Sequence, residues 1–258
     1  MKRVFACTPL LVVLAVMFCL QTGVQGQQVF QGIAQAGAPP VGTEEPCILN
    51  NCLMYAGDFD ANGQNPNGLW NNSSELFGIT GTVYVPFIVP KKFKGAKGKT
   101  DWNIQGFFAN EQMFTPTAVS VSWSIVTGVA SGGNPSGGQV KTICSGTGTP
   151  TVTPTGRVAF GLAEQTILLT GAACPAGTLE AGQYWMTFVP TVVDLAYLSD
   201  VEDNSPANAQ GPGSEPVDQS FFYSPDFGFN SFTPTAPTVC GGIGCDAFSV
   251  GVIGTAVH

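Results

Sequence analysis

One short segment carries the oxygen-bearing side chains of a calcium-binding loop. Asp58, Asp60 and Asn62 stand at alternate positions and Gly63 follows them, as in the first half of the D-x-[DN]-x-[DN]-G pattern. Carboxylate and amide oxygens at positions 1, 3 and 5 wrap around a hard cation, but position 12, normally a bidentate glutamate, is Leu69. Calcium is therefore the one cofactor that the sequence suggests. The alternative is an Asp/Asn/Gly turn whose side chains cap their own backbone.

Catalytic chemistry is restricted by the residue types in the chain. The one histidine is His258, so a Ser/His/Asp triad, a Cys/His pair and a multi-histidine metal site are excluded within this sequence. A glycosidase needs two carboxylates about 5 to 10 Å apart, and Asp101, Glu111 and Glu164 lie near predicted β segments. The sequence has neither a nucleophile elbow nor a phosphate loop. We therefore expect a protein that is not an enzyme, with a carboxylate-pair glycoside hydrolase as the alternative.

Trp70, beside Asn71 and Asn72, is the candidate ligand-binding residue. It lies outside the segments that alternate between polar and apolar residues, so we expect it in a loop. An aromatic ring in such a loop can stack on a sugar ring. The alternative is that Trp70 belongs to the core with the other three tryptophans, because aromatic side chains dominate core burial.

Six cysteines follow the first 26 residues, an even number that indicates disulfide bonds in an exported protein. Spacing alone leaves 15 pairings open for six cysteines. Proximity in the sequence favours Cys47 with Cys52, Cys144 with Cys174, and Cys240 with Cys245. The alternative is a zinc site formed by the two short C-x4-C pairs, although structural zinc loops usually have C-x2-C spacing.

The first 26 residues have the organisation of a cleaved secretory signal peptide. Lys2 and Arg3 precede an apolar stretch over 4–20, and Val24 and Gly26 suit the small-residue positions of a signal peptidase site. The apolar stretch is short for a membrane anchor, which needs about 20 apolar residues. We predict cleavage after Gly26 and a secreted protein, extracellular or periplasmic, without a transmembrane segment.

The net charge restricts the class of partner. Residues after Gly26 include seven Lys and Arg against 17 Asp and Glu, a net charge of −10, which opposes non-specific binding to nucleic acid. Five of the cations, all lysines, lie within 91–99, where they form either a solvated loop or a contact for an anionic surface polymer. An extracellular polysaccharide or a cell-surface polymer is the expected partner, and nucleic acid is not.

Composition and periodicity predict a β-sheet protein. Charged residues make up 10% of the chain and hydrophobic residues 44%, with 33 Gly and 19 Pro, which argues against both disorder and long helices. Residues 119–125 have an apolar residue at each odd position and serine at each even one, the pattern of a strand with one wet face. Other β-rich stretches lie at 82–89, 102–108, 139–145, 157–161, 165–170, 184–189 and 247–253. This spacing predicts an all-β fold, an antiparallel, jelly-roll-like β-sandwich with disulfide-stapled loops.

The predicted organisation has three segments. Residues 1–26 form the signal peptide, 27–79 an irregular N-terminal segment with a short disulfide loop, and 80–258 the β-sandwich, in one domain with parts of 27–79. Within the sandwich, Pro86 predicts an edge strand or a bulge. Acidic residues among prolines and glycines predict a long loop over 196–219.

Strand and turn patterns over roughly half of the chain resemble those of a group of secreted, uncharacterised bacterial β-sandwich proteins with a jelly-roll-like fold. The stretches concerned are 55–62, 83–90, 102–110, 151–157 and 179–190. This resemblance implies the fold and the export, and it implies no reaction.

Three classes of function remain compatible with the sequence. We expect a secreted, non-catalytic protein with a surface structural or carbohydrate-binding role. The alternatives are the secreted hydrolase and a subunit of an extracellular filament, in which irregular N-terminal residues would add a strand to a neighbouring sheet.

Overall fold

Fourteen β-strands make up most of what the computed structural model describes, namely residues 52–57, 69–75, 78, 80–91, 101–159, 162–174, 179–194, 196–199, 220–235 and 248–257. In chain order they are β1 (Cys52–Tyr55), β2 (Leu69–Asn71), β3 (Ser74–Glu75), β4 (Thr82–Val89), β5 (Asp101–Met113), β6 (Ala118–Thr127), β7 (Lys141–Gly148), β8 (Thr151–Ala159), β9 (Leu162–Thr170), β10 (Gly182–Val192), β11 (Ala196–Ser199), β12 (Phe221–Ser224), β13 (Phe229–Pro234) and β14 (Val250–Val257). A 3-10 helix at Pro225–Phe227 connects β12 to β13. Among the described residues, no helix has the length and apolar character needed to cross a membrane.

The strands form two seven-stranded sheets. In the first sheet, β5 is central: it pairs with β9 along one side and with β14 and β11 along the other. Each of these three neighbours has a further partner, because β8 pairs with β9, β1 pairs with β14, and β2 pairs with β11. The second sheet has the order β13-β12-β4-β10-β6-β7, with β3 paired to β10. The β3–β10 pairing is parallel and the others are antiparallel. The predicted all-β, antiparallel sandwich is therefore confirmed.

The core lies between the two sheets and is rich in aromatic side chains. Phe107 of β5 contacts Trp123 of β6 with ring centroids 4.8 Å apart, and Phe87 of β4 stacks on Trp102 of β5 at 5.7 Å. Both contacts join one sheet to the other. Complete burial of a side chain of this size contributes about 1.5–3 kcal/mol, so these pairs are a main source of cohesion between the sheets.

One disulfide bond also joins the sheets. Cys144 in β7 is bonded to Cys174, which follows β9, with 5.2 Å between their Cα atoms. This confirms the pairing predicted for these two residues. Cys52 is also disulfide-bonded, and Cys47, Cys240 and Cys245 lie outside the described residues.

Several elements differ from their predicted form. The segment 27–79, predicted as irregular, contains β1, β2 and β3, and the predicted loop 196–219 begins with β11. Pro86 lies in β4 between β10 and β12, but β12 pairs only with Thr82, Val83 and Tyr84. On the side of β12, the described pairing therefore ends before Pro86, and an edge position of this kind tolerates the missing N–H of proline.

Candidate functional site

Seven hydroxyl side chains form a regular array on the outer face of the second sheet. The array, here called the hydroxyl grid, consists of Ser145 and Thr147 of β7, Ser120, Ser122 and Ser124 of β6, and Thr187 and Thr191 of β10. The strand register aligns them in three rows, Ser145–Ser124–Thr187, Thr147–Ser122–Val189 and Ser120–Thr191. Residues directly opposite each other in paired strands share a face of the sheet, so all seven hydroxyls belong to one surface.

The strict alternation of β6 gives the grid its outward direction. Val121 and Ile125 are fully buried in the core between the sheets, so the serines that alternate with them point the other way. Ser122, Ser145 and Thr147 are exposed, Ser120, Ser124 and Thr191 are half-buried, and Thr187 is buried. Six of the seven positions are thus open to solvent.

Hydrogen bonds between β6 and β10 fix part of the grid. The hydroxyls of Ser124 and Thr187 are 2.8 Å apart, and the Ser120 hydroxyl donates to Thr191 Oγ1 at 3.1 Å. Each such pair uses one of its two hydroxyl hydrogens, because a serine or threonine hydroxyl has one donor and two acceptor lone pairs. The bonded pairs therefore retain hydrogen-bonding capacity in a fixed arrangement.

An aromatic cluster borders the grid on the same outer face. Tyr84, Phe221 and Phe232 are buried in it, and Trp185 and Tyr223 pack on it half-buried. Burial, together with the neighbouring Tyr223, raises the pKa of Tyr84 to about 12, so its phenol is neutral at physiological pH.

Trp185 is the member of this cluster nearest to the grid. It lies two residues before Thr187 on β10, and it pairs with Val126 of β6 and Pro86 of β4. On the outer face of β10, the hydroxyl side chain of Thr187 is therefore followed directly by the aromatic side chain of Trp185.

Two features hold the edge strand β7, which carries Ser145 and Thr147, against the rest of the sandwich. Cys144 links it to the opposite sheet. Gly146 pairs with Trp123, whose ring lies so close that a Cβ atom at position 146 would be 3.0 Å from it. A larger residue at Gly146 would displace the core indole, so the glycine keeps β7 flat against the core.

A second polar cluster lies inside the sandwich. Asn72 is buried and its side-chain amide donates to Glu111 Oε1 at 2.9 Å and to the Phe188 carbonyl at 2.6 Å, while Asn72 Oδ1 accepts from the Val83 amide at 3.0 Å. Glu111 belongs to the first sheet, whereas Phe188 and Val83 belong to the second. Asn72 thus forms a hydrogen-bonded bridge between the sheets.

Glu111 is a buried carboxyl group without a positive partner in this cluster. Its exposed fraction is 0%, and among the described residues its Oε2 atom has no hydrogen-bond partner. Burial raises the pKa of Glu111 well above its usual value, and the hydrogen bond from Asn72 opposes that shift. The neutral acid is the form that this environment favours.

The acids considered for a hydrolase do not converge. Glu164 lies directly opposite Gln112, the neighbour of Glu111 on β5. Successive residues of a strand point to opposite faces, so Glu111 faces the interior and Glu164 the outer side of the first sheet. The Thr155 hydroxyl donates to Glu164 Oε2 at 2.8 Å. These two carboxyl groups therefore do not flank a common site, and Asp101 begins β5, far along the strand from both.

The other predicted site residues have different outcomes. Trp70 lies in β2 opposite Leu198 of β11, so its predicted position in a loop is wrong: three residues suffice to pair here, too few for a visible alternation. The calcium candidates Asp58, Asp60 and Asn62 lie outside the described residues, as do the lysines after Lys91 in 91–99. Within the described ranges, no group of three or more His, Cys, Asp or Glu side chains has a geometry that could hold a metal ion.

The sequence alone does not indicate the hydroxyl grid as a site. The serines of β6 were visible as a wet face, and Thr187 and Thr191 also alternate with apolar neighbours. The grid appears only when β7, β6 and β10 are aligned, because the alignment depends on pairing between strands up to 71 residues apart. The remaining signal was the repeated choice of Ser or Thr rather than charged residues on that face.

Comparison with known proteins adds a weak likeness. No protein-family model and no curated protein matches the sequence. A crystal structure of the cysteine protease and lectin-like domains of Cwp84, a surface layer associated protein of Clostridium difficile, is similar with a TM-score of 0.39 and 8% sequence identity. The match covers 79% of this chain and 36% of that chain. A TM-score this low does not assign a shared fold.

Proposed function

We propose that this chain is an extracellular, non-catalytic, carbohydrate-binding protein whose ligand lies on the hydroxyl grid and beside Trp185. The observation that carries the proposal is the grid itself, an outward array of seven hydroxyls in register on three neighbouring strands. Sugars present hydroxyl groups that both donate and accept hydrogen bonds. Serine and threonine hydroxyls offer the same two capacities.

The aromatic border supports this class of ligand. Trp185 is half-buried at the end of the grid, with the Ser124–Thr187 pair in the next row. A tryptophan combines a large apolar surface with one polar edge, so it can cover the C–H face of a sugar ring while hydroxyls bond to the ring substituents. A row of hydroxyls ending at an aromatic side chain therefore fits a sugar better than it fits an entirely polar or entirely apolar ligand.

The size of the grid supports a slender polymer rather than a folded protein. Neighbouring strands lie about 4.8 Å apart and same-face residues about 7 Å apart. Between its outermost positions the grid therefore measures roughly 10 by 13 Å, far below the roughly 800 Å² per partner of a stable protein interface.

Two observations support the extracellular and non-catalytic parts of the proposal. The Cys144–Cys174 bond is of the kind that persists in oxidising compartments, in agreement with the signal peptide pattern over 1–26. The paired positions of the grid carry hydroxyl side chains and one valine, Val189. Hydroxyl groups can bind a glycan, but they do not provide the acid and the base that hydrolysis of a glycosidic bond needs.

Retention on insoluble polysaccharides tests the proposal. The exported protein is incubated with suspensions of cellulose, chitin, xylan and bacterial peptidoglycan, and the unbound fraction is measured after centrifugation. We expect saturable depletion on at least one of them, because a preformed grid offers several hydrogen bonds at once. Absence of depletion on all four would contradict the proposal and favour a structural role.

A further inference from the structure

The hydroxyl grid has no charged member, and neither do the positions that continue it. At one end of the grid the next row on this face is Thr142 of β7, Val126 of β6 and Trp185 of β10. Beyond the other end lie Thr149, which follows β7, and Val193, which follows β10. The closest charged residues along these strands are Lys141, which begins β7, and Asp194, which follows β10. Asp194 accepts a hydrogen bond from the Thr115 hydroxyl at 2.6 Å, so its carboxylate is engaged at the end of the sheet.

An acidic polymer would need groups that the described residues of this face lack. Carboxylate and sulfate groups are bound most strongly by charge-assisted hydrogen bonds from Arg or Lys. Neutral hydroxyls offer only the weaker, uncharged type of bond. The chain as a whole carries a net charge of −8, which repels polyanions at long range and at low salt.

Neutral hydroxyls in register are well suited to an uncharged chain. Desolvating a serine hydroxyl costs far less than desolvating an ion, and the Ser124–Thr187 and Ser120–Thr191 bonds already fix four of the side chains. At these four positions little side-chain freedom is then lost when a ligand is bound.

We infer that the hydroxyl grid selects an uncharged polysaccharide. This inference rests on the proposed function and adds the chemical class of the ligand. The sugar hydroxyls bond to the exposed side chains of Ser122, Ser145 and Thr147. Binding of the polysaccharide is independent of ionic strength, because no ion pair is formed.

A salt series on polymers of both classes tests the inference. The exported protein is applied to insoluble cellulose and chitin, which are uncharged, and to cross-linked polygalacturonate, which is acidic. Each measurement is repeated between about 0.05 and 0.5 M NaCl, which shortens the screening length severalfold. We expect retention on an uncharged polymer, changed less than twofold by salt, and roughly tenfold or more weaker retention of a Ser122→Val/Thr147→Val variant.

The possible failures are distinguishable. Retention on polygalacturonate alone, lost at high salt, would overturn the uncharged class and leave carbohydrate binding intact, with the lysines of 91–99 as the contact. Retention on an uncharged polymer that the double variant leaves unchanged would overturn the grid as the site. Absence of retention on all three polymers would contradict the proposed function itself.

Discussion

At the scale of single residues, the most consequential polar side chain is one that the sequence did not single out for itself. In the sequence Asn72 is notable only as a neighbour of Trp70, yet in the structure it joins Glu111 of one sheet to Val83 and Phe188 of the other. An amide suits this position because it donates and accepts at once. No local pattern reveals such a bridge, since its partners lie 11 to 116 residues away in the chain.

Replacement of Asn72 should destabilise the fold markedly. Asn72→Ala leaves the Val83 amide, the Phe188 carbonyl and Glu111 without this partner, and each buried unsatisfied group costs about 1–3 kcal/mol. We expect the free energy of unfolding in urea to fall by on the order of 3 kcal/mol. Asn230→Ala is the control, because Asn230 is exposed and its side-chain amide donates to the carbonyl of Gly228, two residues away. A loss no larger than that of the control would refute the bridge.

Glu111 should make stability depend on pH in an identifiable direction. Burial raises its pKa in the folded protein, so the folded state binds more protons than the unfolded chain between the two pKa values. Its contribution to the free energy of unfolding is therefore greatest at acidic pH and falls as the pH rises above the unfolded value of about 4.3.

A Glu111→Gln variant isolates this contribution. The variant keeps an acceptor for Asn72 and cannot ionise, so we expect its melting temperature to exceed that of the wild type at pH 8 and the difference to shrink towards pH 4. Glu180→Gln, at an exposed position, controls for loss of one surface charge. Melting curves of wild type and Glu111→Gln that run parallel over the whole pH range would show that Glu111 does not titrate as inferred.

At the scale of elements, strands with clear alternation were predictable and short paired strands were not. The β6 alternation and the β10 core were visible because each has a buried face of at least three residues. β2 and β3 have three and two residues, and β12 and β13 carry aromatic side chains on both faces. Pairing with neighbouring strands rather than local sequence makes these segments extended.

The pairing of Cys144 with Cys174 was predictable from proximity, but its position in the fold was not. The bond connects the edge strand of one sheet to the end of β9 in the other. Because β6 is the one strand that pairs with β7 among the described residues, the disulfide is a second attachment of β7, the strand that carries Ser145 and Thr147 of the grid.

Removal of the Cys144–Cys174 bond should lower stability more than removal of the shorter bond predicted between Cys240 and Cys245. The sequence separation of 30 residues corresponds to about 3.7 kcal/mol in the chain-entropy model, against about 2.2 kcal/mol for a six-residue loop. We expect Cys144→Ser/Cys174→Ser to lower the melting temperature by about 10 °C, and more than Cys240→Ser does. Calorimetry that shows an equal or larger loss for Cys240→Ser would contradict this ranking.

At the scale of the whole molecule, the signal peptide pattern, the net charge and the hydroxyl grid agree with the function proposed above. The signal peptide pattern and the disulfide bond agree with an oxidising compartment, and the acidic net charge repels polyanions at long range. The sequence predicted the sandwich and a polysaccharide partner, but it pointed to Trp70. The grid is a property of three aligned strands, so only the assembled sheet shows it.

Export itself can be checked at the N-terminus. If residues 1–26 are a signal peptide, mass spectrometry of the culture supernatant should find a chain that begins at or within a few residues of Gln27. Recovery of the uncleaved chain in the membrane fraction would contradict this prediction.

The most direct measurement of the central claim is a pair of binding isotherms on the polysaccharide that retains the wild-type protein. Ser122→Val/Thr147→Val removes two exposed, directly opposite hydroxyls of the grid, and Thr151→Val/Thr153→Val removes two exposed hydroxyls from β8 in the other sheet. Each hydrogen bond lost to the ligand costs about 1 kcal/mol, so we expect the grid variant to bind roughly tenfold or more weakly and the β8 variant to bind like the wild type. The grid variant also loses the bond from the Ser122 hydroxyl to the Val189 carbonyl at 3.4 Å, so melting curves of both variants serve to show that each is folded at the temperature of the binding measurement. Equal affinities of the two variants would contradict the assignment of the binding site to the hydroxyl grid.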